Sequence, residues 1–224
     1  MRIDTSTLNG EASHQLLKGF VAPRPVAWIS TLSREGVANA APYSCYTFVA
    51  TVPPMVCFSV ELRDGRKKDT LRNVEDTGDF VVNLFGEDLV QPMNATAEDF
   101  PPDVSEILEV GLTPAPGERV RAPRISECPA SLECRAVQII ELGRSRHSLV
   151  IGEVLLAHVR DDLYRDGTLD LARLRPVGRL AGNQYCRLGE VFELDRPWLR
   201  REAAKTGGRK ERLRQRPGPS LPHS

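Results

Sequence analysis

Two short segments carry residue types that could bind a ligand. Residues 39–49, NAAPYSCYTFV, combine small residues, hydroxyls, a thiol and two tyrosines without a single charge. Small residues let the backbone approach a flat ring, while amides and hydroxyls can meet ring carbonyls and nitrogens without a buried charge. The segment therefore suits a planar aromatic ligand, although a barrel interior filled with small side chains has the same composition.

The second segment, GRKKDT at residues 65–70, has the chemistry of a phosphate site. Backbone N–H groups at a helix N-terminus bind phosphate, and a hydroxyl with nearby cations adds charge-assisted hydrogen bonds. Arg66, Lys67, Lys68 and Thr70 supply those groups. The alternative is structural, with Thr70 only capping its helix and the basic run forming a solvated surface.

Other site types receive little support from the sequence. The five cysteines are odd in number and scattered, and the four histidines have no ligand spacing, so we predict free thiols and no metal. Cys45 could act as a nucleophile only if the fold brought His147 to it, and a packed thiol is the alternative. The chain also lacks a dinucleotide fingerprint and a Walker loop.

The elements around the two segments are mainly strands. RPVAWISTL and VANAA flank the turn SREG and predict a hairpin, and ASLECRAVQIIELG and HSLVIGEVLLAHV predict a longer one. MVCFSV and FVVNLF are continuous apolar runs, which are typical of strands covered on both faces. Between them the pattern predicts a short helix from Thr70 to Gly78.

Further helices are predicted near residues 15–19 and 89–99, and a last strand at EVFEL, residues 190–194. Many strands linked by hairpins, with few helices, indicate a closed β-barrel with helices outside.

Charge divides the chain into a body and a tail. Residues 199–224 contain eight basic and two acidic residues, whereas the formal net charge of the whole chain is zero. A negative body argues against nucleic acid as a partner, and the tail's low apolar content predicts disorder. We predict one domain over residues 1–198 and a basic tail over residues 199–224. No apolar run reaches membrane length and no signal peptide is evident, so we expect a cytoplasmic protein.

Taken together, the segments resemble the flavin reductase-like family of FMN-binding split-barrel proteins. The resemblance rests on four segments in the family's order: RPVAWISTLSREGVANAAPYSCYTFVATVPPMVCFSV, KKDTLRNVEDTGDFVVNLF, HSLVIGEVLLAHV and PVGRLAGNQY. It implies a mainly β fold, a six-stranded antiparallel split β-barrel with a few flanking helices. It also implies a homodimer with FMN at the subunit boundary.

The resemblance further implies which residues contact the cofactor. The isoalloxazine and ribityl chain would contact Asn39, Tyr43, Ser44, Cys45 and Tyr46, and the next strand would add Ser59. The phosphate would contact Lys68, Asp69 and Thr70. His147 and Tyr185 match positions that approach the flavin in relatives. At position 45 some relatives carry a large aromatic residue, and here it is cysteine. The loop 86–121 matches too poorly for any residue to be transferred.

Three functions are compatible with this resemblance. The first is an NAD(P)H:flavin oxidoreductase that passes hydride to FMN and supplies a partner monooxygenase with reduced flavin; it needs no acid–base residue, because the cofactor carries the chemistry. The second is an electron carrier that keeps its FMN and exchanges electrons with a protein. The third is a barrel that binds FMN without redox work.

Overall fold

The computed structural model describes residues 1–194, in which strands outnumber helices. Strands occupy Ala27–Leu32 (β1), Ala38–Tyr43 (β2), Tyr46–Thr51 (β3), Pro54–Val60 (β4), Asp79–Leu84 (β5), Pro114–Ala115 (β6), Arg124–Ile125 (β7), Ala130–Leu142 (β8), His147–Val159 (β9), Tyr164–Arg165 (β10), Thr168–Leu169 (β11), Val177–Arg179 (β12) and Tyr185–Arg187 (β13). α-Helices occupy Gly10–Phe20 (α1), Asp69–Thr77 (α2), Val90–Ala95 (α3), Glu106–Glu109 (α4) and Leu171–Leu174 (α5), with 3-10 turns at Thr5–Thr7, Glu87–Leu89 and Asp161–Leu163.

One antiparallel sheet contains seven strands in the order β2-β1-β5-β8-β9-β4-β3. The two predicted hairpins are confirmed, since β1 pairs with β2 and β8 pairs with β9, both antiparallel. The two apolar runs become β4 and β5, which lie inside the sheet rather than at its edges. Interior strands are covered on both faces, and this explains why their sequences do not alternate.

The two edge strands of this sheet, β2 and β3, are consecutive in the chain and separated only by Ser44 and Cys45. The chain bends there, and the Ser59 N–H on β4 donates to the Cys45 carbonyl at 2.9 Å. The bend curls the sheet round so that its first and last strands continue into each other. The sheet therefore has seven strands where the resemblance implied six, because the bend at Ser44 and Cys45 divides one run of chain into β2 and β3.

The interior of the curled sheet is filled by aromatic and branched side chains. Phe58 lies between Tyr43 and Phe80, with ring centroids 5.2 and 5.3 Å apart. Gly152 of β9 makes room for this stack, because a Cβ there would come 2.4 Å from the Phe80 ring. A residue larger than glycine at position 152 would therefore overpack the core.

A second apolar cluster packs α3 and α4 against the barrel. Trp28 of β1 contacts Phe85 edge-to-face at 5.8 Å, and its indole N–H donates to Thr96 at 2.9 Å. Met93 and Ile107 are fully buried in the same cluster. These contacts hold the segment between α3 and α4 beside β2.

The structure corrects three of the predicted elements. Helix α1 extends over Gly10–Phe20 rather than residues 15–19, because the Asn9 side chain caps it by accepting from the Ala12 N–H. The helix expected near residues 89–99 is confined to α3 and a preceding 3-10 turn. The strand predicted at residues 190–194 does not form, because those residues pair with no strand of the described chain; β13, five residues earlier, pairs with β12 instead.

Helix α2 begins one residue before the predicted position and ends as predicted. Its last residue is followed by Gly78 at φ 74°, whose N–H donates to the Val74 carbonyl. A left-handed residue after a helix favours glycine, so Gly78 terminates α2. Among residues 1–194, none of the helices is long and apolar enough to span a membrane.

Candidate functional site

A cleft of about 460 Å³ opens beside β2 and the N-terminus of α2. One wall is β2 itself, a second is the segment 63–72, and the third is the segment 96–106 that the Trp28 cluster holds in place. Residues from both segments singled out in the sequence line this cleft. Five predicted site residues lie here: Asn39, Tyr43, Lys68, Asp69 and Thr70.

The N-terminus of α2 faces this cleft without a side-chain cap. Lys68 occupies the N-cap position in an extended conformation and makes no capping hydrogen bond. Within residues 1–194, the Asp69 and Thr70 N–H groups donate to no protein acceptor. Free amide donors at the positive end of a helix dipole attract an anion. The alternative considered from the sequence, in which Thr70 only caps the helix, is wrong because Thr70 lies inside α2 and Lys68 occupies the N-cap position.

A buried hydrogen-bond network forms the floor of the cleft. The Thr70 hydroxyl donates to Asn39 Oδ1 at 2.9 Å, and Thr31 donates to the same oxygen at 3.2 Å. Asn39 Nδ2 donates to the Glu106 carboxylate at 2.6 Å. Asn39 and Thr70 are both more than nine-tenths buried. Because a hydroxyl has one proton, Thr70 offers a ligand its backbone N–H rather than its side chain in this arrangement.

Glu106 was not identified from the sequence, yet its buried carboxylate belongs to the cleft. One oxygen accepts from Asn39 and the other from the Ala40 N–H at 3.2 Å. Burial raises the pKa of Glu106 above its ordinary value, since these donors do not fully replace lost water. Glu106 therefore joins α4 to β2 and, through Asn39, to the start of α2.

Tyr43 brings an unused hydroxyl to the same place. The ring is buried in the barrel core, and within residues 1–194 its oxygen makes no well-formed hydrogen bond, although Thr70 lies next to it. Burial raises the pKa of Tyr43 to about 12, so the phenol stays protonated. A buried polar atom without a partner costs free energy, which a ligand atom at this position would recover.

Basic side chains surround the cleft mouth, and most of them are paired. Arg63 contacts Asp99 across the mouth at 2.6 Å, and Lys68 reaches Glu61 at 3.4 Å. Lys67 is held by Glu75, and Arg72 by Asp69. Among the cleft's cations, Arg66 makes no ion pair with any residue of the described chain.

Four more predicted residues lie at the neighbouring bend rather than in the cleft lining. Ser44 accepts a hydrogen bond from Arg24 at 3.4 Å, and Cys45 is exposed. Tyr46 packs on the barrel core, and burial raises the pKa of its phenol to about 12. Ser59 is joined to Cys45 through the backbone bond that closes the sheet.

His147 and Tyr185, the last two predicted site residues, lie neither in the cleft lining nor at the bend itself. His147 begins β9, two residues before Leu149, the partner of Ser59, so it lies at the same end of the barrel as the bend. Tyr185 lies on the separate β12–β13 pair, where its ring stacks under Arg179 and its hydroxyl is 3.5 Å from Asn94. The structure thus places five predicted residues in the cleft lining, four at the adjoining bend and His147 at the start of β9, and it leaves Tyr185 outside the cleft lining.

Arg24 is a further residue that the sequence did not reveal. Its guanidinium is buried and donates to the carbonyls of Lys18, Val21 and Leu180, besides Ser44. These bonds tie α1 and the loop after β12 to the bend. The APRPVAW sequence around Arg24 contains no motif that would have predicted this role.

Comparisons with known proteins identify the family of this chain. The family model described as flavin reductase like domain matches residues 20–175. An uncharacterized protein of Halalkalibacterium halodurans is 41% identical over 204 residues, which cover 89% of this chain and 98% of the relative.

Solved structures support the same assignment. Nitrilotriacetate monooxygenase component B from Bacillus cereus is 38% identical and superposes with a TM-score of 0.84, over 87% of this chain and 98% of its own. A Shewanella frigidimarina chain with a split barrel domain matches with a TM-score of 0.76 at 22% identity, over 88% of this chain and 99% of its own, which confirms the split-barrel fold. The chain therefore belongs to the flavin reductase-like family of flavin-binding oxidoreductases.

Proposed function

We propose that this protein is an NAD(P)H:flavin oxidoreductase that uses FMN. The observation that carries the proposal is the cleft in which an uncapped helix N-terminus, a lysine and an uncharged β-strand meet. A phosphate and a flat polar ring are the two ends of FMN, and these two surfaces are complementary to them.

The residues present fit this cofactor. The Asp69 and Thr70 N–H groups and the Lys68 ammonium would hold the phosphate, because charge-assisted bonds at a helix start favour a dianion. The unpartnered Tyr43 hydroxyl would meet a polar atom of the ligand, and the bend at Ser44 and Cys45 would border the ring. Bound there, a flavin supplies the ring system that accepts hydride from a nicotinamide.

The chain's own contribution is positioning rather than proton transfer. Glu106 is the buried carboxylate at the cleft, and both of its oxygens already accept protein donors. His147 begins a strand at the barrel end, where it would adjust access to the ring. Holding two rings at near-attack distance accelerates hydride transfer without an acid or base from the protein.

Heat release and chromatography of the flavin identify the cofactor. We expect FMN, because the phosphate site lies at a single helix start and the sequence has no dinucleotide fingerprint. Mostly FAD would contradict this assignment.

Anaerobic titration tests the activity. We expect NADH or NADPH to bleach the bound flavin and steady-state oxidation to continue when free FMN is added. A yellow protein that no nicotinamide nucleotide reduces would instead be an electron carrier. A protein without flavin, unable to bind added FMN, would contradict all three functions derived from the sequence.

We further infer a cytoplasmic homodimer that passes reduced flavin to a monooxygenase. The partner proposal is supported by the 38% identity to nitrilotriacetate monooxygenase component B. An oxygenase of the same organism should hydroxylate its substrate only when this protein, nucleotide and flavin are all present.

A further inference from the structure

The turn that precedes α2 presents two arginines to the cleft in a fixed arrangement. Arg63 and Arg66 exchange backbone hydrogen bonds of 2.9 and 2.8 Å, and Asp64 and Gly65 between them both have positive φ. This is the pattern of a tight two-residue hairpin, which holds its flanking residues side by side. Both arginines line the cleft.

These two arginines differ in what already neutralises them. Arg63 is paired with Asp99 from the opposite wall, and it also donates to the Ala97 carbonyl. Arg66 is exposed and has no carboxylate within ion-pair distance in the described chain. An unpaired guanidinium on a cleft wall is available for a planar two-point contact with a phosphate.

The wall opposite the turn has a different chemistry. Phe100, Pro101 and Pro102 line the cleft there, next to Asp99. An aromatic ring and two prolines offer flat apolar surface of the kind on which a nucleobase packs. The phosphate proposed for FMN is already served by Lys68 and the α2 N-terminus, so neither Arg66 nor this wall is needed for it.

We propose that Arg66 and the Phe100–Pro102 segment, which line the same cleft, form a second subsite in which Arg66 takes the 2′-phosphate of NADPH and the apolar segment takes its adenine. The assignment rests on the proposed function, because it names the nucleotide that the same cleft would use. It predicts a preference for NADPH over NADH, since the two differ only in that phosphate. Arg63, held weakly by an exposed ion pair, adds positive charge beside it.

The test is calorimetric and does not depend on turnover. The full-length protein, as purified, is titrated at fixed ionic strength with adenosine 2′,5′-bisphosphate and with adenosine 5′-monophosphate. We expect the bisphosphate to bind about tenfold tighter or more, as one charge-assisted contact predicts. Arg66→Ala should reduce the ratio to within about twofold, and the backbone bonds of the turn survive this change.

Lys67→Ala is the matched control. Lys67 is adjacent in sequence and lines the same cleft, but its ammonium contacts both oxygens of Glu75 at 2.8 and 2.7 Å. It should keep the wild-type ratio. An equal loss in Lys67→Ala would show a general charge effect and overturn the subsite, and so would a wild-type protein that does not distinguish the two ligands.

Flavin titration tests the alternative that Arg66 contacts a flavin phosphate rather than the 2′-phosphate of a nicotinamide nucleotide. Arg66→Ala should leave the dissociation constants of FMN and FAD unchanged on the flavin-free protein. If it weakens either flavin and spares the bisphosphate ratio, Arg66 belongs to the flavin site and the proposal is wrong. A protein that distinguishes the adenosine ligands but oxidises neither NADPH nor NADH would retain this subsite while losing the proposed function.

Discussion

Lys68 is the residue on which the proposed FMN phosphate contact depends most directly. It is only partly exposed, its one carboxylate partner among residues 1–194 lies at 3.4 Å, and it stands at the uncapped start of α2. We predict that Lys68→Ala weakens FMN binding by about 1.5–3 kcal/mol, as expected for a hydrogen bond to a charged group. Quenching of flavin fluorescence during titration measures the change.

Riboflavin is the control ligand for this prediction, because it lacks the phosphate. Lys68→Ala should bind riboflavin as the wild type does. Equal weakening of riboflavin and FMN would mean that Lys68 contacts the ring or supports the fold, and the phosphate assignment would fail.

Glu106 permits a prediction about pH. Burial raises its pKa above the ordinary 4.5, so the folded protein binds this proton more tightly than the unfolded chain does. The stability it contributes is present below 4.5 and is lost as pH rises through the raised folded pKa. In Glu106→Gln this titration disappears, so the stability advantage of wild type over variant should shrink as pH rises toward neutrality.

Urea unfolding at a series of pH values measures this difference. Glu109→Gln, at an exposed position on the same helix, is the control and should show no pH-dependent difference from wild type. A difference between wild type and Glu106→Gln that does not change with pH would contradict the buried-carboxylate interpretation.

Helix α2, whose N-terminus forms the proposed phosphate site, also has a C-terminus that a single substitution can test. Gly78 has φ 74° and open space for a Cβ, so Gly78→Ala tests backbone strain alone. We predict a loss of about 1–2 kcal/mol in the free energy of unfolding. Gly19, inside α1, also has space but no positive φ, so Gly19→Ala should be neutral or stabilising. Equal effects at both positions would exclude the left-handed cap as the cause.

Helix α2 was predictable because its signals are local, and five residues of the cleft beside it were named from the sequence, whereas the buried contact between Asn39 and Glu106 was not. Asn39 and Glu106 are 67 residues apart, and nothing in the sequence of the loop 86–121 indicated that one of its carboxylates joins β2. The strand predicted at residues 190–194 is wrong for the opposite reason. Val191 and Phe192 are strand-forming residue types, but a strand also needs a partner edge, which no local sequence pattern supplies.

At the scale of the whole molecule, the exposed edge of the sheet supports a homodimer. Phe48, Val49 and Val52 on and after β3 are 72%, 48% and 93% exposed. An apolar edge strand of this kind is usually covered in a native assembly. We predict that Phe48→Glu weakens dimerisation about 30-fold or more, as for an aromatic interface anchor, and lowers FMN occupancy. Light scattering after gel filtration measures the mass.

Leu171→Glu, a substitution of a half-exposed leucine on helix α5, outside the seven-stranded sheet, is the control and should leave the dimer intact. A wild-type monomer with full FMN occupancy would contradict both the dimer and the position of the flavin at its interface.

The basic segment 199–224 falls outside the described residues, and its role remains a prediction from composition. Eight basic against two acidic residues, with few apolar ones, give it little to bury in a core, and its charge lies apart in sequence from every proposed flavin contact. We therefore expect a chain that ends after Arg201 to keep its FMN content, its dimer and its NAD(P)H oxidation. Transfer of reduced flavin to an oxygenase is the one step we expect to change, because the removed charge can pair with an acidic partner surface at up to about 1 kcal/mol per pair. Loss of flavin or of the dimer would place the segment in the folded domain, and the boundary at residue 198 would then be wrong.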